Sequence, residues 1–334
     1  MKTDAQAELL FNRITRRYRH LKKWARRTGT NAFRLYDRDI PEIPLALDLY
    51  GDAVSGALYT RPGAARTADE KDEQAWLYAM KDAVSRALDI PESKIFLKER
   101  RRMRRRQDEG NQYNRMSGQS FYRDVYEGDM AFRVNLSGYI DTGLFLDARR
   151  KRTLIRSGAE GKRVLNLFAY TCSLSVAAAK GGACQVDSVD LSKTYLEWGR
   201  INFALNKLRA RYSERADPAF PEGASLIHSD VMQFITRAGR KKSRWDIIIL
   251  DPPSFSNSKR MSGTLDIRRD HRELIHSCLS LLSPGGTLWF SSNAKGFRLE
   301  SADFPGCILK DITPDLVDED FRKKKIPFCI KISR

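Results

Sequence analysis

No run in the sequence comes near the ~18 to 20 consecutive apolar residues that a membrane-spanning helix requires, so the chain is not expected to cross a bilayer. Its opening stretch, Met1 to Leu10, is mixed and polar and lacks the apolar core of a secretory signal. Cysteine is sparse. Positions 172, 184, 278, 307 and 329 show neither a C-x-x-C pair nor His/Cys zinc spacing, which speaks against a disulfide framework or a metal site and for reduced thiols in the cytoplasm. The glycine-rich G-x-G-x-x-G fingerprint of dinucleotide sites is missing too, and no internal repeat is present. What the chain does have is an apolar share of 41% over 334 residues, enough for one large or two modest domains with real cores. It also has 60 Lys and Arg against 42 Asp and Glu, a net charge of +18. A clustered excess of this size points to a polyanionic partner.

The clustering is visible along the chain. Ala5 to Arg27 has helical spacing, with Leu9, Leu10, Ile14, Leu21 and Trp24 on the apolar side. Arg13, Arg16, Arg17, Arg19, Lys22, Lys23, Arg26 and Arg27 make the other side basic, and Gly29 closes the helix. Such a face is either the solvated flank of a docking helix or a contact that tracks an RNA backbone. Strands follow at Phe33–Tyr36, Leu45–Tyr50 and Ala53–Tyr59, the last two joined as a hairpin at Gly51-Asp52. A helix over Asp72–Leu88 leads to a strand at Ile95–Lys98 and, further on, another at Tyr122–Tyr126. Between these two strands lie Arg100, Arg101, Arg102, Arg104, Arg105 and Arg106, too mutually repulsive for a core. They are expected in a mobile loop that neutralises phosphates.

Near residue 128 the rhythm changes to alternation of strand and helix. After a strand at Ala131–Leu136, a turn over Tyr139–Asp147 enters a helix carrying Arg149 to Leu154. Strands are expected at Arg163–Leu167, Cys184–Val189, Ala224–Ile227, Trp245–Leu250 and Thr287–Ser291. The intervening helices are Ser173–Lys180, Ser192–Asn206 with a serine cap, Asp230–Ile235 and Leu265–Leu282, the last broken by Ser283-Pro284-Gly285-Gly286. Tyr212–Gly223 reads as a surface insertion. Serial βα units specify a doubly wound, Rossmann-like parallel sheet, here preceded by a smaller mixed α+β domain and a basic helix. The expected division is residues 1–30, 31–127 and 128–334.

The chemistry gathers at strand ends, where open α/β sheets bind their ligands. Ile247–Leu250 is an unbroken apolar run, as in a strand buried on both faces, and it stops at Asp251-Pro252-Pro253-Ser254-Phe255. The prolines are stiff and donate no ladder bond, so they set Phe255 beside the crevice. The pairing suits a flat ring anchored by Asp251 and the Pro252–Pro253 backbone, with Phe255 stacking on its face or serving as ordinary packing. A second strand ends at Asp190, placed to bind ribose hydroxyls, although an acid there also suits a helix N-terminus. A third ends at Ser229-Asp230, where a carboxylate can accept from an adenine amine. The turn Phe168-Ala169-Tyr170-Thr171-Cys172 presents a helix start to a ligand. With no phosphate cradle, S-adenosylmethionine fits better than a dinucleotide.

Several stretches then carry a family resemblance: Asp141-Thr142-Gly143-Leu144-Phe145-Leu146-Asp147-Ala148-Arg149, Asn166-Leu167-Phe168-Ala169-Tyr170-Thr171, Val189-Asp190-Leu191-Ser192 and Asp251-Pro252-Pro253-Ser254-Phe255-Ser256-Asn257-Ser258-Lys259-Arg260. With Arg269-Asp270-His271 and Ser292-Asn293-Ala294-Lys295-Gly296-Phe297-Arg298, they resemble class I S-adenosylmethionine-dependent RNA methyltransferases. The specific likeness is to the C-terminal half of the bifunctional bacterial large-subunit rRNA methyltransferase K/L (RlmKL) family, which methylates guanine N7 in 23S rRNA. The resemblance implies that residues 128–334 are the catalytic domain. It implies that Thr142, Phe145, Asp147 and Arg149 close over the cofactor, and that Phe168, Tyr170, Thr171 and Cys172 wrap its methionine end beside Asn166. Asp190, with Leu191 and Ser192, would hold the ribose, and Asp230, with Val231, the adenine amine. Cys172 stands where the family often has glycine.

Carbon-5 methylation of a pyrimidine needs a cysteine nucleophile, and the strand ending Phe290-Ser291-Ser292-Asn293 supplies none. Ring N7 of guanine carries its own in-plane lone pair and needs only to be held in line. An exocyclic amine, such as guanine N2, would also fit acceptors at Asp251 and a proline carbonyl. The residues leave these two open, and the resemblance tips the choice to N7. Lys259 and Arg260 are expected on phosphates, and His271 as a satisfied polar residue on its helix. The partner is then 23S rRNA or a large-subunit assembly intermediate, with the family's guanine-N2 half expected on a separate chain. A non-catalytic reading also stands: an RNA-binding and remodelling module built on a cofactor fold.

Overall fold

The computed structural model describes residues 3–59, 70–100, 120–213, 223–256, 264–322 and 324–334. Arg101, Arg102, Arg104, Arg105, Arg106, Lys259 and Arg260, all expected to touch RNA, lie outside the described residues, as does the Arg100 side chain. The chain divides into two compact units. One comprises Met1–Asp129, Val134–Thr142 and Glu319–Lys324, the other Met130–Arg133, Gly143–Asp318 and Lys325–Arg334.

In the first unit, helix α1 (Thr3–Thr28) buries Leu10, Ile14, Leu21 and Trp24, and Gly29 at φ +67° closes it. Strands β1 (Ala32–Asp37), β2 (Leu45–Tyr50) and β3 (Ala53–Tyr59) form an antiparallel meander. Helix α2 (Glu70–Leu88) then returns the chain so that β4 (Ile95–Arg100) pairs parallel with β3. The two helices and the sheet share one core, in which Phe33, Leu35, Leu45 and Leu47 meet Leu10, Ile14, Met80 and Val84. Strand β5 (Tyr122–Glu127) belongs to this unit.

After β6 (Met130–Asn135), the second unit runs α3 (Arg149–Ser157), β7 (Arg163–Leu167), α4 (Ser173–Lys180), β8 (Gln185–Asp190), α5 (Lys193–Leu205) and β9 (Ala210–Ser213). It continues with β10 (Gly223–His228), α6 (Val231–Arg240), β11 (Trp245–Leu250), β12 (Phe255–Ser256), β13 (Leu265–Asp266), α7 (Ile267–Leu279), β14 (Leu282–Ser292), β15 (Ile308–Asp311) and β16 (Phe328–Ser333). The eight-stranded sheet has the order β15-β16-β14-β11-β7-β8-β10-β9, antiparallel only at β15 and β16. This is the doubly wound sheet expected. Its direction of winding reverses between β7 and β11, the switch point where such sheets open a crevice. Ile248, Ile249 and Leu250 are fully buried, each worth roughly 1.5–3 kcal/mol relative to exposure.

Three elements differ from expectation. The helix expected over Leu265–Leu282 spans Ile267–Leu279, because Leu265–Asp266 pairs with Phe255–Ser256 and the Asp266 side chain caps the helix by accepting from the Arg268 amide. The Ser283–Gly286 break lies inside a strand. Leu282 already pairs with Trp245, and the extra residues loop out before Thr287 meets Ile247, with Gly285 at φ +70°. The ends of the expected insertion at Tyr212–Gly223 are strand residues of β9 and β10, and residues 214–222 lie outside the described ones. No described helix is long and apolar enough to cross a membrane.

Candidate active site

Pairing register brings the strand ends level. Ile227, Val189, Leu167, Leu250 and Phe290 form one row across β10, β8, β7, β11 and β14. The next residue on each strand is His228, Asp190, Phe168, Asp251 and Ser291. Neighbouring strands lie about 4.8 Å apart, so Asp190 and Asp251, two strands apart, flank the β7 turn across roughly 10 Å.

That turn is strained. Phe168, Tyr170 and Cys172 all have left-handed backbones, at φ +57°, +51° and +62°. A non-glycine residue there costs on the order of 1–3 kcal/mol, and such strain gathers at ligand sites. Local bonds hold it: the Tyr170 amide donates to Asp190 Oδ2 at 2.8 Å, the Ala169 amide to the Val189 carbonyl at 3.0 Å, and the Thr171 hydroxyl to the Gly143 carbonyl at 2.6 Å. Asn202 of α5 donates to the Thr171 carbonyl at 2.8 Å. Gly143, at φ +92°, could not carry a side chain, since a Cβ would lie 2.3 Å from the Trp198 ring. Rings of Phe145, Tyr170 and Tyr195 succeed one another at centroid distances of 5.3 and 4.5 Å, and Phe145 is 49% exposed at the outer end.

The Asp190 carboxylate takes one backbone amide on each oxygen, from Tyr170 and from Ser192, both at 2.8 Å. Burial raises its pKa, the amides pull it back, and the balance stands at about 6. Asp251 is held otherwise. Its Oδ2 lies 3.1 Å from the ammonium of Lys151, which also reaches Ser291 Oγ at 2.5 Å. Beyond it Pro252 is buried, Pro253 and Phe255 are partly so, and the Ser254 carbonyl accepts from the Ile267 amide, tying the loop to α7.

Most of the residues expected at the site gather at this edge, but not all face it. Asn166 is 1% exposed and turns its amide to Ser175 inside the sheet, at 2.8 Å. Thr171 and Cys172 are fully buried, their roles confined to the turn backbone, and the Cys172 thiol is pushed up by burial. Arg149 is buried against Asp318 at 3.0 Å, and Asp147 is half-buried in the turn before α3. Asp230 caps α6, accepting from the Gln233 amide at 3.0 Å, with Val231 buried behind it and Leu191 and Ser192 half-buried beside β8. Thr142 belongs to the first unit, where its hydroxyl meets that of Tyr50 at 2.9 Å. His271 bonds back to its own helix, at the Ile267 carbonyl.

Sequence reasoning missed Lys151. The signal was there in Arg149-Arg150-Lys151-Arg152: at ~100° per residue, four successive cations encircle a helix, so some must face the sheet. Arg149, Lys151 and Arg152 are all buried, and Lys151 is the one that reaches the strand ends of the large sheet. Among the described residues no cluster of His, Cys, Asp and Glu could hold a metal.

A family model for S-adenosylmethionine-dependent methyltransferases matches residues 97–302. Ribosomal RNA large subunit methyltransferase K of Neisseria meningitidis is 41% identical over 96% of this chain and 86% of its own length. Ribosomal RNA large subunit methyltransferase K/L of Pseudomonas aeruginosa is 40% identical over 95% of this chain and 41% of its own, so the chain spans about two fifths of that relative. Among solved structures, a candidate S-adenosylmethionine-dependent methyltransferase from Streptococcus mutans superposes with a TM-score of 0.70 at 25% identity, covering 98% of this chain and 81% of that one.

Proposed function

The chain belongs to the S-adenosylmethionine-dependent methyltransferases, in the family of ribosomal RNA large subunit methyltransferase K, and from that premise we propose that it methylates N7 of a guanosine in 23S rRNA. The residues present suit the cofactor. The left-handed turn has its own amides tied to Val189, Asp190 and Ala169 and makes no phosphate cradle, and the Asp190 carboxylate one strand over would accept from vicinal hydroxyls. Phe168, Tyr170 and the Thr171–Cys172 backbone would hold the methionine end and Asp190 the ribose. The Asp230 side chain would accept from the adenine amine, with Phe145 and Tyr170 shielding the mouth. When bound, S-adenosylmethionine supplies a sulfonium methyl group whose transfer to N7 moves the positive charge onto the purine and releases no proton.

The observation that carries N7 is the tie between Asp251 and Lys151. A carboxylate committed to an ammonium is suited to anchoring a base rather than to taking its proton, and N7 has no proton to give. Asp251 would accept from the guanine, Phe255 would stack on its face, and the protein's contribution is alignment. Pyrimidine carbon-5 chemistry lacks its nucleophile. Cys278 is buried in α7 and Cys329 behind Ser291, and burial pushes both thiols up, away from the reactive thiolate.

RNA would be held by its backbone. On α1, Arg16, Arg19, Lys22, Lys23, Arg26 and Arg27 are exposed and make no ion pair among the described residues. The arginine-dense segment 100–106 and Lys259–Arg260 would add to this grip. In this reading the enzyme acts in the cytoplasm on 23S rRNA or a large-subunit assembly intermediate, with a guanine-N2 methyltransferase module as its partner. The test is labelled methyl transfer to deproteinised large-subunit rRNA, with nucleoside digestion and mass analysis. The expected product is 7-methylguanosine. An N2-methylated product would overturn the N7 assignment and leave the methyltransferase standing.

A further inference from the structure

Lys151 is 4% exposed, and its ammonium touches two adjacent strand ends at once. Asp251 and Ser291 each lie one residue past the paired Leu250 and Phe290, so the lysine bridges β11 and β14 from α3 above them. Its basic neighbours do different work. Arg149 bonds Asp318, and Arg152 bonds the Phe145 carbonyl at 3.0 Å with its guanidinium over the Phe132 ring. An ammonium is costly to bury unless paired, so its placement at a strand end calls for a reason.

We propose that Lys151 is a positioning residue for methyl transfer: by pinning Oδ2 of Asp251 it fixes that carboxylate in one rotamer, leaving Oδ1 as the acceptor that orients the incoming base. The inference rests on the reading of Asp251 as the base anchor, while the contact itself is read from the Asp251 carboxyl resonance. Among the described residues Oδ1 has no hydrogen-bond partner, and the Asp251 side chain is 35% exposed, so the free oxygen can face a ligand. The titratable groups around the ammonium are Asp251 on β11, Cys329 on β16 and Asp147 in the turn before α3, with Asp311 of β15 acting on Cys329. Burial works against the charged lysine, but Asp251 above all, with Asp147, outweighs it, and the pKa lies above the ordinary lysine value. The Cys329 thiol is pushed up by its own burial and stays neutral, so the charge balance is that of the Lys151–Asp251 pair.

The experiment compares the full chain with Lys151→Met, Lys151→Arg and the charge-neutral double variant Lys151→Met/Asp251→Asn. The carboxyl carbon of Asp251, assigned by its loss in Asp251→Asn, is observed by NMR at neutral pH. Lys151→Met should displace that resonance, because the ammonium 3.1 Å from Oδ2 is gone, and Lys151→Arg should restore it. In methyl transfer, Lys151→Met should lower kcat by roughly a hundredfold, the scale of a small misplacement at a reacting centre. KM for S-adenosylmethionine and S-adenosylhomocysteine binding should hold, and Lys151→Arg should recover part of kcat. A purely structural lysine would lower cofactor binding together with kcat or leave the Asp251 resonance unmoved, and either result overturns the proposal. If the double variant folds and Lys151→Met does not, unpaired Asp251 is the cause and the pairing stands. If neither folds, the lysine is a structural staple and the proposal falls. A wild-type chain that methylates no rRNA refutes the substrate, and the Asp251 carboxyl resonance still decides the lysine.

Discussion

Two carboxylates stand level at the ends of β8 and β11, and the protein holds them by opposite means. Asp190 is gripped by backbone amides, one of them from a turn that bends through three left-handed residues, and makes no ion pair among the described residues. Asp251 is gripped by a buried lysine from a separate helix. Amides fix direction without neutralising charge, so desolvation prevails and the Asp190 pKa rises to about 6. An ammonium neutralises as it holds. On the proposed reading the difference separates two tasks: a cofactor grip made of backbone dipoles and an acceptor grip made of an ion pair.

The sharpest way to break this comparison is Asp251→Ala. Methyl transfer should fall by at least roughly a hundredfold, since the lost contact orients the reacting base. Calorimetry should find S-adenosylhomocysteine binding unchanged within about twofold. Equal losses in both would mean that the two ends form one site without division of labour.

Asp190→Asn tests the other end, with an expected loss of about tenfold in cofactor affinity, the scale of a hydrogen bond to a charged group. The pH dependence is the finer test. Ribose hydroxyls donate to the ionised carboxylate, so wild-type affinity should rise as pH climbs through about 6 and decline below it. Asp190→Asn should flatten that profile. Stability runs the other way. The folded chain holds the Asp190 proton more tightly than the unfolded one, whose pKa is near the ordinary 3.8, so this residue's contribution is largest below that value and is lost as pH rises toward 6. Melting curves of Asp190→Asn should lack that component.

The strained turn offers a smaller effect. A Cβ at Gly199 of α5 would lie 2.5 Å from Cys172 Sγ and 3.0 Å from its Cβ. Gly199→Ala should therefore destabilise the fold by about 1–3 kcal/mol, the usual cost of overpacking. Cys172→Gly removes the sulfur and accepts the left-handed backbone freely, so it should recover part of that loss in the double variant, read from denaturant midpoints. Additive losses would show that Cys172 and Gly199 are not in contact.

Much of the catalytic sheet was legible because its strands are buried on both faces and read as apolar runs ended by acids or prolines; Ile247–Leu250 with Asp251 is the clearest. What stayed hidden depends on pairing and direction. Positive φ at Phe168 and Tyr170 has no sequence signature, because neither is glycine or asparagine. The helix over Leu265–Leu282 was overextended because apolar residues continue at suitable spacing while Leu265 is already claimed by β12 and Leu282 by β11. Strand β15, a four-residue edge element, and β16 between it and β14 went unread, their alternation being weak. Lys151 was lost in a run of cations that reads as solvated until the helix is set against the sheet.

The basic face of α1 tests the comparison at its weakest point, a hold made of charge alone without burial. Arg19 and Arg26 are exposed and lie seven residues apart, two turns along one side, about 10 Å by helical rise. That spacing lets them reach separate phosphates of one strand. Surface cations of this kind contribute through counterion release, so a single substitution should weaken rRNA binding only a few-fold at moderate salt. The slope of log affinity against log salt should become shallower by about 0.7–0.9 for each contact removed. Filter-binding of Arg19→Ala and Arg26→Ala across a salt series measures this directly, with S-adenosylhomocysteine affinity as the control that should not move. A slope equal to that of wild type would make α1 a solvated flank and shift the RNA grip to the arginines near residue 100. A slope lowered together with cofactor affinity would mean that charge on α1 acts on the cofactor site as well as on RNA.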